Sequence, residues 1–236
     1  MCGRYATTRS AGDLGALFES YDETDGALGP DFNVAPTDPV PLVRSAPEGH
    51  RVLSVGRWGL VPHWSRSAAG AARMINARAE TVATSRAYAS SFARRRCLVP
   101  ADGWYEWVRE AGGRRQPYFM TPVDGSVLAL AGIWSVWESA GRELLTFSVL
   151  TTAAVGELAE VHDRMPLLLP RERWSSWLAP VDDPAALLAP PPVEWLAGLE
   201  IRPVSTAVGD VRNDGPVLTA RVVPPPRETV TEMTLF

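Results

Sequence analysis

The sequence contains no lysine, so all 23 of its basic residues are arginine. A guanidinium stays protonated and is not a nucleophile, so any imine the chain forms with a carbonyl compound must use its α-amino group. Cysteine is almost absent: Cys2 and Cys97 are the only two. Two cannot build a disulfide framework or a four-cysteine zinc site. The three histidines, His50, His63 and His162, are not closely paired, so neither a metal nor a cofactor is expected. No apolar run is long enough to span a bilayer. The opening residues, Met1-Cys2-Gly3-Arg4-Tyr5, lack the apolar stretch of a signal peptide. A cytoplasmic protein with no membrane partner is expected.

What is present fits one compact domain. The chain has 236 residues, 46% of them hydrophobic, with no internal repeat and no dividing linker. The domain is expected over residues 1–222, with an irregular tail over 223–236 marked by Pro224-Pro225-Pro226. A net charge of −4 argues against a nucleic-acid partner, yet the charge is unevenly spread. Residues 51–100 hold Arg51, Arg57, Arg66, Arg73, Arg78, Arg86, Arg94, Arg95 and Arg96 against one acid, Glu80. Such a segment is either a local anion-binding surface or a set of arginines scattered over solvated faces.

Alternation and helical spacing predict a strand-rich α+β fold around a curled, mostly antiparallel sheet with a distorted barrel-like core and peripheral helices. Strands are expected at Cys2–Ala6, Val40–Arg44, Arg51–Trp58, Arg96–Val99, Trp104–Arg109, Pro117–Thr121, Val127–Ala131, Leu144–Thr151 and Met165–Leu169. Helices are expected at Ala11–Ser20, Ser85–Arg94, Thr152–Val161, Glu172–Leu178 and Ala185–Leu188. Tyr21–Phe32 and Val61–Ala72 read as loops, and the chain beyond Arg202 as irregular.

Several residues could carry chemistry. Removal of Met1 would leave Cys2 with an amine and a thiol on one residue. Their pKa values of roughly 8 and roughly 8.5 make both useful nucleophiles near neutral pH. With an aldehyde the amine gives an imine, and the thiol then closes a five-membered thiazolidine ring with the advantage of proximity. The plain alternative is a small residue in a first strand. Asn76 and Arg78 are two apart in Asn76-Ala77-Arg78, which puts an amide and a guanidinium on one face of an extended segment. Arg78 could grip a phosphate there, and Glu80 could simply pair with a nearby arginine. Glu106, between Tyr105 and Trp107, is either desolvated and raised towards proton-transfer usefulness or exposed on the polar side of its strand. Simple alternation favours the exposed position. Histidine is the side chain suited to acid or base work near neutral pH, so His162 could do that or serve as a hydrogen-bonded structural residue. Asp163 and Arg164 could pair with each other or with it. Cys97 lies in an apolar run and reads as an inert core thiol. Trp64 is a candidate platform for an unpaired base, or an ordinary packing residue.

Six segments in this order resemble the SOS response-associated peptidase family. They are Met1–Tyr5, Asn33-Val34-Ala35-Pro36, Trp58-Gly59-Leu60-Val61-Pro62, Asn76-Ala77-Arg78-Ala79-Glu80-Thr81, Gly103-Trp104-Tyr105-Glu106-Trp107 and His162-Asp163-Arg164-Met165-Pro166. Pro203-Val204-Ser205 and Val208-Gly209 continue the likeness. The resemblance implies a single α+β domain with a basic groove. It also implies thiazolidine cross-linking to abasic sites in single-stranded DNA by a monomer near the nucleoid, within DNA repair and the SOS response. Carried onto this chain, it makes Cys2 the nucleophile, surrounded by Asn76, Glu106 and His162. Arg4 and Arg78 then contact the DNA backbone, and Asn33, Pro36, Trp64, Thr151 and Ser205 line the groove. Val108 stands where the family often has lysine. Two other readings stay open: an N-terminal-cysteine peptidase or amidase, and a non-covalent single-strand-binding module.

Overall fold

The computed structural model describes residues 2–223. Met1 and the chain from Pro224 on, which includes nearly all of the expected tail, lie outside the described residues. In chain order the strands are β1 (Tyr5–Thr7), β2 (Ser20–Asp22), β3 (Asp31–Val34), β4 (Pro39–Ser45), β5 (Arg51–Trp58), β6 (Asn76–Arg78) and β7 (Arg96–Ala101). They continue as β8 (Gly103–Arg109), β9 (Arg115–Pro122), β10 (Leu128–Ser139), β11 (Arg142–Ala153), β12 (Arg164–Pro166) and β13 (Leu199–Pro203). Short helices α1 (Ala11–Phe18), α2 (Ala79–Val82), α3 (Ala89–Arg94), α4 (Leu158–Val161), α5 (Trp174–Leu178) and α6 (Val193–Leu196) connect them.

Five strands close on themselves. β11 pairs with β10, β10 with β7, β7 with β4 and β4 with β5, all antiparallel, and β5 returns to β11. Antiparallel neighbours alternate in direction, so a ring with an odd number of strands must contain one parallel pair. That pair is β5–β11, joined only at Thr146↔Arg57 and Phe147↔Trp58. Closure removes most of the sheet edge that would otherwise invite pairing with other chains.

Period-two alternation divides the apolar side chains. Val40 and Leu42 of β4, Cys97 and Val99 of β7, Leu130 of β10 and Phe147 and Val149 of β11 fill one cluster. Their neighbours Val43, Leu98, Ala129, Ala131 and Ile133 point the other way, under Phe18 of α1 and Trp174 and Trp177 of α5. Gly132 is glycine because a Cβ there would lie 2.7 Å from the Cys97 sulfur. Cys97 is fully buried.

A second sheet, ordered β13-β9-β8-β1-β3, packs against the barrel. Its alternation decides where the chemistry sits. Tyr5 and Trp104 belong to the barrel-side cluster, while Ala6 and Tyr105 join Phe119, Val204 and Val208 on the other face. Glu106 is two residues past Trp104 and therefore faces the barrel. It is buried, not exposed on the polar side of β8.

Other local expectations need correction. Tyr21–Asp22 and Asp31–Phe32, within the stretch read as loop, belong to strands β2 and β3 paired with β5 and β1, and Ser20, read as the end of a helix, opens the first of them. Thr152 and Ala153, read as the start of a helix, end β11 and pair with β12. Only Leu158–Val161 is helical there, because β12 extends the ladder through Ala153. Leu199–Pro203 is an unforeseen strand on β9.

Candidate functional site

Cys2 precedes β1 and is completely buried between the two sheets. Its carbonyl oxygen accepts a 2.6 Å hydrogen bond from Nδ2 of Asn76. Asn76 is set by the strand it opens: β6 lies parallel to β11, with Val149 opposite Asn76 and Thr151 opposite Arg78. The residue before it is anchored as well, since Trp58 Nε1 donates to the Ile75 carbonyl at 3.0 Å. Tyr88 donates its hydroxyl to the Asn76 carbonyl at 3.2 Å. The backbone that carries the Asn76 amide is thus held by β11, Trp58 and Tyr88.

The Cys2 thiol faces the Arg4 carbonyl oxygen at 4.0 Å. Burial pushes its pKa far up, and the negative charge of Glu106 adds to that. The thiol is therefore protonated at neutral pH. Burial also raises the Glu106 carboxyl above the ordinary carboxylate range, with the nearby charge of His162 pulling it back. Cys2, Asn76, Glu106 and His162, from four separate parts of the chain, therefore share one site.

His162 ends α4 in an extended conformation. Its Nδ1 accepts the Arg164 backbone N–H at 2.9 Å and lies 2.7 Å from Oδ1 of Asp163. One nitrogen cannot serve both at once. Nδ1 accepts from Arg164 when it carries no hydrogen and donates to Asp163 when it carries one. Arg164 pairs instead with Glu80, its Nη atoms reaching both carboxylate oxygens at 2.5 and 2.9 Å. It also donates to the Thr151 carbonyl at 2.6 Å. Glu80 is held below the ordinary range by that arginine. Nothing in the His162–Pro166 run marks a partner 84 positions upstream.

The outer residues divide into groups. Arg4 donates from Nη1 to Asn33 Oδ1 at 2.6 Å and to the Val208 carbonyl at 2.9 Å. Asn33 is buried and passes two further bonds to the carbonyls of Asp210 and Asn213. Ser205 caps the turn that carries Val208 by accepting from the Ala207 N–H. Arg4, Asn33 and Ser205 thus brace one wall. Pro36 is half-buried in the turn that follows β3. Arg78 is exposed at the end of β6, next to the fully buried Thr151. Trp64 is half exposed, with the Arg86 guanidinium 5.1 Å from its ring centre. The basic segment disperses: Arg96 is buried on carbonyl oxygens and Arg51 bonds Phe18 and Ser175, whereas Arg66, Arg73 and Arg78 are exposed. Among the described residues, no group of three or more His, Cys, Asp and Glu side chains is placed to hold a metal ion. No helix among them is long and apolar enough to cross a membrane.

Fold and site together define a two-sheet α+β protein with a buried cysteine beside an amide, a carboxyl and an imidazole. The chain belongs to the SOS response associated peptidase (SRAP) family, whose model matches residues 1–211. It is 35% identical over 221 residues to the abasic site processing protein YedK of Escherichia coli (strain K12), covering 91% of this chain and 97% of that protein. It is 31% identical over 225 residues to the abasic site processing protein YoqW of Bacillus subtilis (strain 168), covering 92% and 98%. A crystal structure of a protein from Bacteroides thetaiotaomicron superposes with a TM-score of 0.81 at 25% identity, covering 94% of this chain and all of that one.

Proposed function

We propose that this protein processes abasic sites in single-stranded DNA by bonding Cys2 covalently to the aldehyde of the lesion. The observation that carries this reading is the clamp on Cys2. Its carbonyl is fixed by Asn76 at 2.6 Å, and Glu106 and His162 are close enough to act on its charge state or on each other's. The relatives named as abasic site processing proteins support the substrate.

The chemistry balances without a cofactor. Removal of Met1 turns the Cys2 nitrogen from an amide into a free amine. His162 moves a proton to or from the sugar oxygen as the closed abasic sugar opens to its aldehyde. The amine adds to the carbonyl carbon, a C–N bond forms, and loss of water leaves an imine. The Cys2 sulfur then adds to the imine carbon while its proton passes to nitrogen, Glu106 serving as carrier. The products are one thiazolidine and one water. A thiol kept neutral by burial suits this order, in which the amine attacks first and sulfur closes the ring. Asn76 holds Cys2 in line. Arg4 and Arg78 contact the backbone phosphates, and Asn33, Pro36, Trp64, Thr151 and Ser205 shape the groove. With the aldehyde consumed, the proton on the adjacent carbon is no longer acidified, so the strand is protected from β-elimination.

The test is a denaturing gel of purified protein mixed with single-stranded DNA carrying one abasic site, after intact mass has shown Met1 removed. A heat-resistant shifted band is expected, absent with undamaged DNA and absent for Cys2→Ala. A stable band from Cys2→Ala, or none from the processed wild type, sinks the proposal in favour of amide hydrolysis or non-covalent binding.

A further inference from the structure

The barrel has a gap in its wall. The outer side of β5 is covered by β2 at Ser20↔Arg51 to Asp22↔Leu53, and by β11 only at Arg57 and Trp58. Between them, Ser54–Gly56 of β5 and the opening residues of β11 are paired on their other edges, to β4 and β10, but not with each other. A cavity of 630 Å³ opens at this seam, lined among others by Arg44, Arg57, Trp134, Val136, Glu143 and Leu145.

Its chemistry is specific. Arg57 is pinned by one hydrogen bond, from Nε to the Thr37 carbonyl at 3.1 Å. Its two Nη groups make no other hydrogen bond among the described residues. Arg44 is held by Ser54 and Glu23 at one end, with its guanidinium 5.5 Å from the Trp134 ring centre. Arg95 approaches the same ring at 5.8 Å. Two guanidiniums fixed beside apolar and aromatic walls match a ligand with an anionic end and a flat apolar body. A nucleotide unit has that form.

The rim of the cleft is linked to the cluster that contains Cys2. Thr37, on its rim, follows Pro36 directly, and its N–H bonds the Trp58 carbonyl at 2.7 Å. Trp58, next to Arg57, packs edge-on against Tyr5 at 5.0 Å, in the cluster that contains Cys2.

We propose that this cleft holds a flanking nucleotide of the same single strand whose lesion reaches Cys2, its phosphate on Arg57 and Arg44. The proposal rests on the DNA-processing reading above. Glu143 is the one carboxylate lining the cleft among the described residues and weakens the grip, so neutralising it strengthens binding.

The experiment measures fluorescence anisotropy of undamaged oligonucleotides of about 5 and about 15 nucleotides, lengths that bracket the usual single-strand site sizes. Arg57→Gln should weaken the longer strand several-fold, leave the shorter one unchanged, and flatten the log–log salt slope by about 0.7, the loss of one phosphate contact. Glu143→Gln should tighten the longer strand only. Adduct formation on a short abasic strand should be the same for both variants and wild type. Equal affinities across wild type, Arg57→Gln and Glu143→Gln overturn the proposal, as does a loss on the short strand as large as that on the long one. Saturation of the cleft by a free mononucleotide, with no advantage for the longer strand, also overturns it in favour of a small-molecule site. Length- and Arg57-dependent binding without any abasic adduct leaves the cleft standing and removes the covalent reading instead.

Discussion

The side-chain amide of Asn76 donates to the backbone carbonyl of Cys2 at 2.6 Å, across 74 positions of sequence. The bond fixes the residue proposed to carry both nucleophiles, so its loss should show in rate more than in stability. A hydrogen bond of this kind is worth about 1 kcal/mol net. Asn76→Ala should therefore move the melting temperature by only a few degrees, while the misplacement of Cys2 adds to the lost bond and slows adduct formation at least about ten-fold, the equivalent of about 1.4 kcal/mol. Single-turnover gels beside thermal melts separate the two. An unchanged rate would show that Cys2 needs no such clamp.

Burial leaves both thiols inert towards bulky reagents. Cys2 and Cys97 are fully buried, and both are pushed up in pKa chiefly by loss of water. A disulfide reagent added to the native protein at pH 8 should titrate neither cysteine quickly, and both after denaturation. One native thiol reacting at the rate of free cysteine would contradict the buried, protonated Cys2.

Alternation and turn chemistry make much of the barrel legible. Arg51–Trp58 reads as a strand and is one over the same residues, and the strand at Arg96 runs only two residues further than expected. Elements defined by their partners stay hidden. The three-residue strand Ser20–Asp22 exists because β5 offers it an edge, and nothing apolar in Ser-Tyr-Asp marks it. Glu106 illustrates the same limit at the site. Its polar side chain reads as the solvent face, yet Trp104 and Tyr105 on either side of the strand are both buried, so β8 has no solvent face there. The pairing of Arg164 with Glu80, and not with Asp163, depends on β11 lying between β6 and β12.

Gly103 is the fixed point from which Glu106 is aimed. A Cβ there would come within 2.3 Å of the Met120 carbonyl oxygen and 2.6 Å of the Phe119 ring. Gly103→Ala should push β8 off β9 and cost about 1–3 kcal/mol, the usual range for overpacking. Because Glu106 rides on the same strand, adduct rate should fall with stability. Denaturant melts and the gel assay check both. A variant as stable as wild type would show that the two strands can separate freely at this point.

Glu106 sets an opposition between stability and function that pH exposes. Burial raises its folded-state pKa above that of the unfolded chain, so in the window between the two values the folded state holds the extra proton. Stability from this group is then fully present below the unfolded pKa, where both states are protonated, and is lost as pH rises through the folded one. Glu106→Gln removes the ionisable group. The variant should be more stable than wild type near pH 8, by about 1.4 kcal/mol for each tenfold difference in proton affinity between the folded and unfolded carboxyl. The difference should fade towards pH 4 as the wild-type carboxyl protonates. Its adduct rate should drop at least about a hundred-fold at neutral pH, the usual contribution of a positioned acid or base. The rise in wild-type rate with pH, centred above the ordinary carboxylate range, should vanish in the variant. Melts and single-turnover rates from about pH 4 to about pH 8, a span that brackets ordinary and raised carboxyl values, measure both curves. A variant that loses the rate but keeps the pH rise would move the proton carrier from Glu106 to His162.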